Sequence, residues 1–106
     1  MSKQNTISTN LSFTGFGLHT GKEVDLVIEP AEANYGLQFS RVDLDSHPII
    51  PAGVEYVTDT KRSTTIEKNG VKVVTVEHLL SALYALGIDN ALIKINSEEL
   101  PILDGS

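Results

Sequence analysis

The stretch TVEHLLSALYALGIDN, Thr75–Asn90, decides the fold because it carries the strongest helix pattern in the chain. Its apolar residues recur at helical spacing and predict one buried face: Val76, Leu79, Leu80 and Leu83. Thr75 is the predicted N-cap, since its hydroxyl can accept a hydrogen bond from the first turn. Gly87 is the predicted residue just beyond the C-cap. The stretch therefore predicts one amphipathic helix that packs against other elements.

The segments on both sides of this helix alternate with a period of two, which predicts strands. The first, Thr6–Phe13, is predicted to be half buried. The residues predicted to face inward are Ile7, Leu11 and Phe13 in this strand, Val24, Leu26 and Ile28 in the next, and Ala91, Ile93 and Ile95 after the helix. Asn69 and Gly70 suit the type I′ turn of a hairpin, which needs positive φ at both central positions. The pattern predicts the α+β class, a mostly antiparallel sheet covered by one strong helix.

The composition limits the classes of function. With 106 residues, the chain has room for one domain with a modest core. It contains no cysteine, so a metal site would need histidine and carboxylate ligands. A formal net charge of −6 argues against nucleic-acid binding, which relies on basic surfaces. The absence of cysteine suits a cytoplasmic protein, which is the expected location. The sequence shows neither a signal peptide nor an apolar run of membrane-spanning length.

The end of the sequence indicates a larger protein. Asp104 and Ser106 in PILDGS are residue types that often begin helices, and a sheet of this size usually needs a second helix to cover it. We therefore expect a second helix to be truncated here and the sequence to be cut from a longer chain.

Glu77 and His78 are the first candidates for chemistry, because they lie side by side in the first turn of the predicted helix. The helix dipole there favours an ionised glutamate and a neutral imidazole, which is the form of histidine that binds metals. The zincin pattern H-E-x-x-H is absent, since Ala82 stands four residues after His78. From spacing alone, a solvated glutamate and a hydrogen-bonded histidine remain the commoner explanation of the pair.

The glycine-rich segment GFGLHTGKE, residues 15–23, is the second candidate. It fails the P-loop pattern, because three residues separate Gly17 from Gly21 and Glu23 follows Lys22. It also fails the dinucleotide-binding pattern and leads into a strand. The segment is predicted to be a loop between strands, with His19 at its tip as a candidate ligand-binding residue.

Five motifs together resemble one enzyme family in order and spacing: GxGLHTGK, RxDL, DTxxST, TVEHLLSALxxLGIDNxxIxIN and LPILDGS. The chain resembles the N-terminal domain of UDP-3-O-acyl-N-acetylglucosamine deacetylase, the zinc amidase that commits Gram-negative bacteria to lipid A. The resemblance implies that residues 1–106 form one domain of a two-domain protein. It also implies a two-layer α/β sandwich similar to the second domain of ribosomal protein S5.

The same resemblance implies roles for particular residues. His78 is expected to be a zinc ligand, and Glu77 the general base that takes a proton from the attacking water. His19, in the loop that borders the family's active site, is a candidate for the nucleotide-sugar end of the substrate. Ser63 and Thr64, at the start of the hairpin that frames the cleft entrance, are further substrate-binding candidates.

The resemblance places the remaining zinc ligands and a catalytic histidine in a second domain of the same polypeptide. We therefore expect residues 1–106 alone to bind zinc poorly and to lack activity. The expected reaction of the parent is hydrolysis of the N-acetyl group of UDP-3-O-(3-hydroxyacyl)-N-acetylglucosamine, a lipid-like substrate compatible with work near the inner membrane surface. The alternative is a non-catalytic nucleotide- or phosphate-binding module of the same fold, with His19 and Lys22 on the ligand.

Overall fold

The computed structural model describes residues 4–61 and 63–101, which form eight strands, one α-helix and a short 3-10 turn. The strands are β1 (Leu11–Phe16), β2 (Glu23–Pro30), β3 (Leu37–Arg41), β4 (Ile49–Pro51), β5 (Val57–Asp59), β6 (Thr65–Lys68), β7 (Val71–Val74) and β8 (Ala91–Ile95). The helix α1 is Glu77–Ala85 and the 3-10 turn is Val54–Tyr56.

The larger sheet has five strands in the order β1-β2-β8-β3-β4. Its pairs are antiparallel except β3 with β8, which run parallel. The two strands next to each other near its centre, β2 and β8, bury every second residue as their alternation predicts. The sheet therefore presents one apolar face, and the α+β class with mostly antiparallel pairing is confirmed.

Strand β1 departs from the prediction. It begins at Leu11 instead of Thr6, and its apolar side chains Leu11 and Phe13 are 38% and 39% exposed. The prediction of a half-buried strand is therefore wrong here. The physical reason is position: β1 lies at the edge of the five-stranded sheet, paired with β2, and none of its side chains belongs to the buried core.

The smaller sheet has three strands in the order β5-β6-β7. Strands β6 and β7 form the predicted hairpin, with Lys68 opposite Val71. Asn69 and Gly70 have φ of 54° and 80°, so the expected positive φ at both turn residues is confirmed. Ile66 and Val73 point into the same hydrophobic core as the five-stranded sheet, which joins the two sheets into one packed unit.

Helix α1 packs on this core through Leu79 and Leu83. Its C-terminus forms a Schellman motif: Gly87 has φ of 74°, its N–H donates to Tyr84, and the N–H of Ile88 donates to Leu83 at 2.9 Å. The predicted role of Gly87 is confirmed. No helix in the described ranges has the length and apolar character needed to cross a membrane.

The start of α1 differs from the prediction. The N-cap is Val76, whose side chain cannot cap, and Thr75 has a left-handed φ of 63°. The reason lies in two backbone hydrogen bonds, one on each side of Thr75. The N–H of Val74 donates to Glu98, and the N–H of Val76 donates to Thr64. Because the chain must turn from strand to helix between these anchors, Thr75 takes a conformation that β-branched residues rarely adopt.

A buried arginine connects the two sheets. Arg41, at the end of β3, forms two hydrogen bonds with Asp43 at 2.9 and 2.8 Å and donates from Nη1 to the Lys72 carbonyl of β7 at 2.8 Å. Its side chain is 8% exposed. The guanidinium therefore ties the hairpin to the larger sheet. The residues after Pro101, where the second helix is predicted, lie outside the described residues.

Candidate functional site

A cleft of about 400 Å³ opens where four segments of the chain meet. They are the loop between β1 and β2, the segment just before β6, the first turns of α1 and the segment that follows β8. The cleft is lined by Leu18, His19, Ser63, Thr75, Glu77, His78, Leu79, Ala82, Leu100 and Pro101. Four of the five predicted site residues therefore border one cavity: His19, Ser63, Glu77 and His78.

Glu77 is the first residue of α1 and is half buried. Its Oε1 accepts a hydrogen bond from the backbone N–H of Thr64 at 3.0 Å. The helix dipole also favours a carboxylate at this end. The carboxylate is thus held at the cleft wall through Oε1.

His78 follows Glu77 and is exposed at the cleft. Successive helical residues point about 100° apart, so both side chains border the cavity without meeting at one atom. The described residues contain no group of three histidine, aspartate or glutamate side chains placed to hold a metal ion. As a donor set for zinc, Glu77 and His78 supply one imidazole beside one carboxylate, fewer than the three protein ligands that a catalytic zinc usually has.

Two other candidates lie away from the cleft surface. Thr64 does not line the cavity and instead presents its backbone to the start of α1, donating to Glu77 and accepting from Val76 at 3.2 Å. Lys22, the basic residue of the phosphate-binding alternative, is exposed and also absent from the cavity wall.

His19 is fixed at the cleft by Glu99, a residue that sequence reasoning missed. The ring Nδ1 of His19 lies 2.6 Å from Glu99 Oε2, and the backbone N–H of His19 donates to both carboxylate oxygens at 3.2 and 3.1 Å. The N–H of Thr20 donates to Oε1 at 3.2 Å. Eighty residues separate His19 from Glu99, so no local pattern could indicate the pair.

Glu99 is 2% exposed. Burial pushes its pKa upward, but the hydrogen bonds from the His19 ring and from the N–H groups of His19 and Thr20 outweigh this effect. The pKa of Glu99 is therefore held below its ordinary value, and the carboxylate is ionised at neutral pH.

Gly17 makes room for this carboxylate. A Cβ at position 17 would lie 2.4 Å from Glu99 Oε1 and 2.6 Å from the Thr20 hydroxyl, closer than atoms of this kind approach. The glycine at position 17 thus has a steric reason that the failed phosphate-binding patterns do not supply.

Thr75 is a second residue at the cleft whose importance the sequence did not indicate. It lines the cavity in its left-handed conformation, and its buried hydroxyl has no hydrogen-bond partner among residues 4–61 and 63–101. Strained backbone of this kind is concentrated at functional sites. From the sequence, a threonine just before a helix indicates only an N-cap.

Comparisons with known proteins agree on one family. The sequence profile of the family described as UDP-3-O-acyl N-acetylglycosamine deacetylase matches residues 4–106. A UDP-3-O-acyl-N-acetylglucosamine deacetylase of Legionella pneumophila is 53% identical over 106 residues, which are all of this chain and 35% of that protein. The deacetylase of the same name from Psychrobacter sp. is 48% identical over 104 residues, covering 98% of this chain and 35% of the relative.

A protein of Bacteroides thetaiotaomicron named "Bifunctional enzyme LpxC/FabZ" is 52% identical over 106 residues, which are all of this chain and 23% of that protein. The chain therefore spans between 23% and 35% of the length of these relatives.

Proposed function

Because the chain belongs to the UDP-3-O-acyl N-acetylglycosamine deacetylase family, we propose that it forms the N-terminal domain of a zinc-dependent amide hydrolase. The substrate is UDP-3-O-(3-hydroxyacyl)-N-acetylglucosamine and the product released is acetate, in the committed step of lipid A biosynthesis. A second domain of the same polypeptide completes the active site. The protein acts in the cytoplasm.

The observation that supports this proposal most strongly is that Glu77 and His78 border one cleft together with His19 and Ser63. The four residues come from three segments of the chain, and their convergence on one cavity agrees with a shared role. If Glu77 were merely solvated and His78 merely packed, nothing would require His19 and Ser63 to border the same cleft.

His78 supplies one imidazole ligand to zinc in this proposal, and the remaining ligands belong to the second domain. The chemistry that a bound zinc supplies is Lewis acidity toward the amide carbonyl and the attacking water. Glu77 accepts the proton of that water through Oε2, while Thr64 holds Oε1. The proton can then pass to the leaving amine as the carbon–nitrogen bond breaks.

His19 and Ser63, which line the same cleft, are proposed to contact the nucleotide-sugar part of the substrate. Thr64 serves the site through its N–H, which fixes Glu77, rather than through its hydroxyl. The fold proposed for the domain is the two-layer α/β sandwich of ribosomal protein S5 domain 2, supported by one helix and two sheets sharing one core.

The decisive experiment changes Glu77 and His78 separately in the full-length protein. Glu77→Gln should lower kcat by about 10²- to 10⁴-fold with zinc retained, because the amide cannot accept the proton. His78→Ala should lose zinc, measured by metal analysis of the purified protein. Glu32→Gln is the matched control, since Glu32 is exposed on the turn before β3 and is not among the residues that line the cleft.

Near-normal deacetylation by both variants would rule out the assigned roles. Loss of zinc from the Glu77→Gln protein together with full zinc in the His78→Ala protein would reverse them.

A further inference from the structure

Glu99 is a buried carboxylate with an unusual set of partners. Within the described part of the chain no lysine or arginine forms an ion pair with it, and all four of its hydrogen bonds from neighbouring residues come from His19 and Thr20. The Ser97 hydroxyl interacts only with its backbone N–H. Removing a carboxylate from water costs free energy unless hydrogen bonds replace the water. Here the replacement is provided by one loop, at the point where that loop reaches the cleft.

The loop between β1 and β2 forms its turn through hydrogen bonds that do not involve Glu99. Its backbone already has hydrogen bonds from Gly17 to the Lys22 carbonyl and from Gly21 to the Gly17 carbonyl, each at 3.0 Å. The contact with the His19 ring is therefore additional to loop closure. The space for it depends on Gly17, where any side chain would collide with the carboxylate.

The 2.6 Å contact decides which ring nitrogen carries the proton. A carboxylate can only accept, so Nδ1 must be the protonated nitrogen. The other nitrogen, Nε2, is then the ring atom left to meet a ligand in the cleft. The same arrangement, a carboxylate that orients a histidine through its second nitrogen, sets the tautomer of histidines in many sites.

We infer that Glu99 is a positioning residue for His19: it fixes the ring orientation and the Nδ1–H tautomer so that Nε2 faces the substrate. In the neutral ring Nε2 accepts a hydrogen bond from a sugar hydroxyl, and in the charged ring it donates to a phosphate oxygen. This inference rests on the proposed function for its substrate, and on the geometry of Glu99, His19 and Gly17 for the positioning itself.

The activity test is a double-mutant cycle in the full-length protein. Glu99→Gln keeps the shape of the side chain but replaces one acceptor oxygen by a donor, so kcat/KM should fall about tenfold. In a His19→Ala background the same change should alter kcat/KM by less than about twofold, because the residue being positioned is gone. An equal loss in both backgrounds would show that Glu99 acts through the fold alone and would overturn the inference.

A spectroscopic test needs no substrate, and its first result is obtained from the unaltered protein. Histidine labelled with ¹⁵N in the full-length protein reports which ring nitrogen is protonated, and the neutral form of the His19 ring should carry its proton on Nδ1. The Glu99→Gln protein should shift toward the Nε2–H tautomer. An Nε2–H tautomer in the unaltered protein would contradict the inference, even if Glu99→Gln did not fold.

The two tests separate this inference from the proposed function. A protein that lacks deacetylase activity but shows the Nδ1–H tautomer would refute the proposed function while supporting the positioning of His19. An active deacetylase in which Glu99→Gln changes neither kcat/KM nor the ring signals would refute the positioning alone.

Discussion

At the scale of single residues, a left-handed backbone conformation occurs at both ends of α1. The sequence predicts the one after the helix but not the one before it. Gly87, just after the helix, has φ of 74° and is indicated by its residue type, because glycine pays no steric penalty there. Thr75, just before the helix, has φ of 63° and is forced by anchors on both sides. Its residue type argues for a cap instead, so only the packed structure reveals it.

Gly87→Ala should destabilise the full-length protein by about 1–2 kcal/mol, since a Cβ in the left-handed conformation approaches the following carbonyl. There is open space around this position, so the cost comes from backbone strain and not from a collision. Urea denaturation compares it with Ser81→Ala, an exposed change within α1 that should alter stability by less than about 0.5 kcal/mol. Equal midpoints for Gly87→Ala and the unaltered protein would contradict the Schellman motif.

At the scale of elements, Arg41 hydrogen-bonds to Asp43 and to the Lys72 carbonyl, an arrangement called here the Arg41 clamp. It joins the end of β3 to the hairpin of β6 and β7. The hydrogen bonds from Arg41 lower the pKa of Asp43, and they outweigh the opposing effect of burial. The depressed pKa means that Asp43 stabilises the fold when ionised. This contribution is present above the ordinary pKa of 3.8 and is lost as the pH falls through the lower value in the folded protein.

Asp43→Asn should therefore destabilise the protein by about 1.5–3 kcal/mol at about pH 7, the usual value of hydrogen bonds to a charged group. The difference from the unaltered protein should shrink as the pH is lowered from about 7 to about 3, because Asp43 takes up its proton below pH 3.8 in the unfolded state and at a lower pH in the folded state. Asp45→Asn is the control, because Asp45 is exposed and forms no ion pair in the described residues. A difference in unfolding free energy that stays the same at both pH values would show that the carboxylate charge is not what stabilises the clamp.

At the scale of the whole molecule, the cleft is assembled from segments that lie far apart in the chain. The loop at His19, the segment just before β6, the first turn of α1 and the segment at Leu100 converge on one cavity. Only one imidazole in this assembly is placed as a zinc ligand in the proposed function. Catalytic zinc usually has three protein ligands, so under the proposed function the described residues supply only part of the site.

The isolated chain of residues 1–106 should therefore retain far less than one zinc per molecule after gel filtration, whereas the full-length protein should retain about one. Circular dichroism of the isolated chain provides the control for folding. Stoichiometric zinc at a mononuclear site in the folded isolated chain would contradict the division of the ligands between two domains.

The sequence by itself determined the features that depend on local preferences. The alternation in β2 and β8, the Asn69-Gly70 turn, helix α1 and the Gly87 motif all follow from periodicity or from a preference for positive φ. The pair Glu77-His78 was visible as a candidate, and its family motif indicated a role.

Only the tertiary structure decided which distant residues meet and which apolar faces are covered. It brought His19 into contact with Glu99 and tied Arg41 to the hairpin. It also placed the Thr64 N–H within hydrogen-bond distance of Glu77 and left β1 exposed at the sheet edge. The physical reason is that burial and long-range hydrogen bonds depend on where the chain returns in space, and a local sequence pattern carries no information about that return.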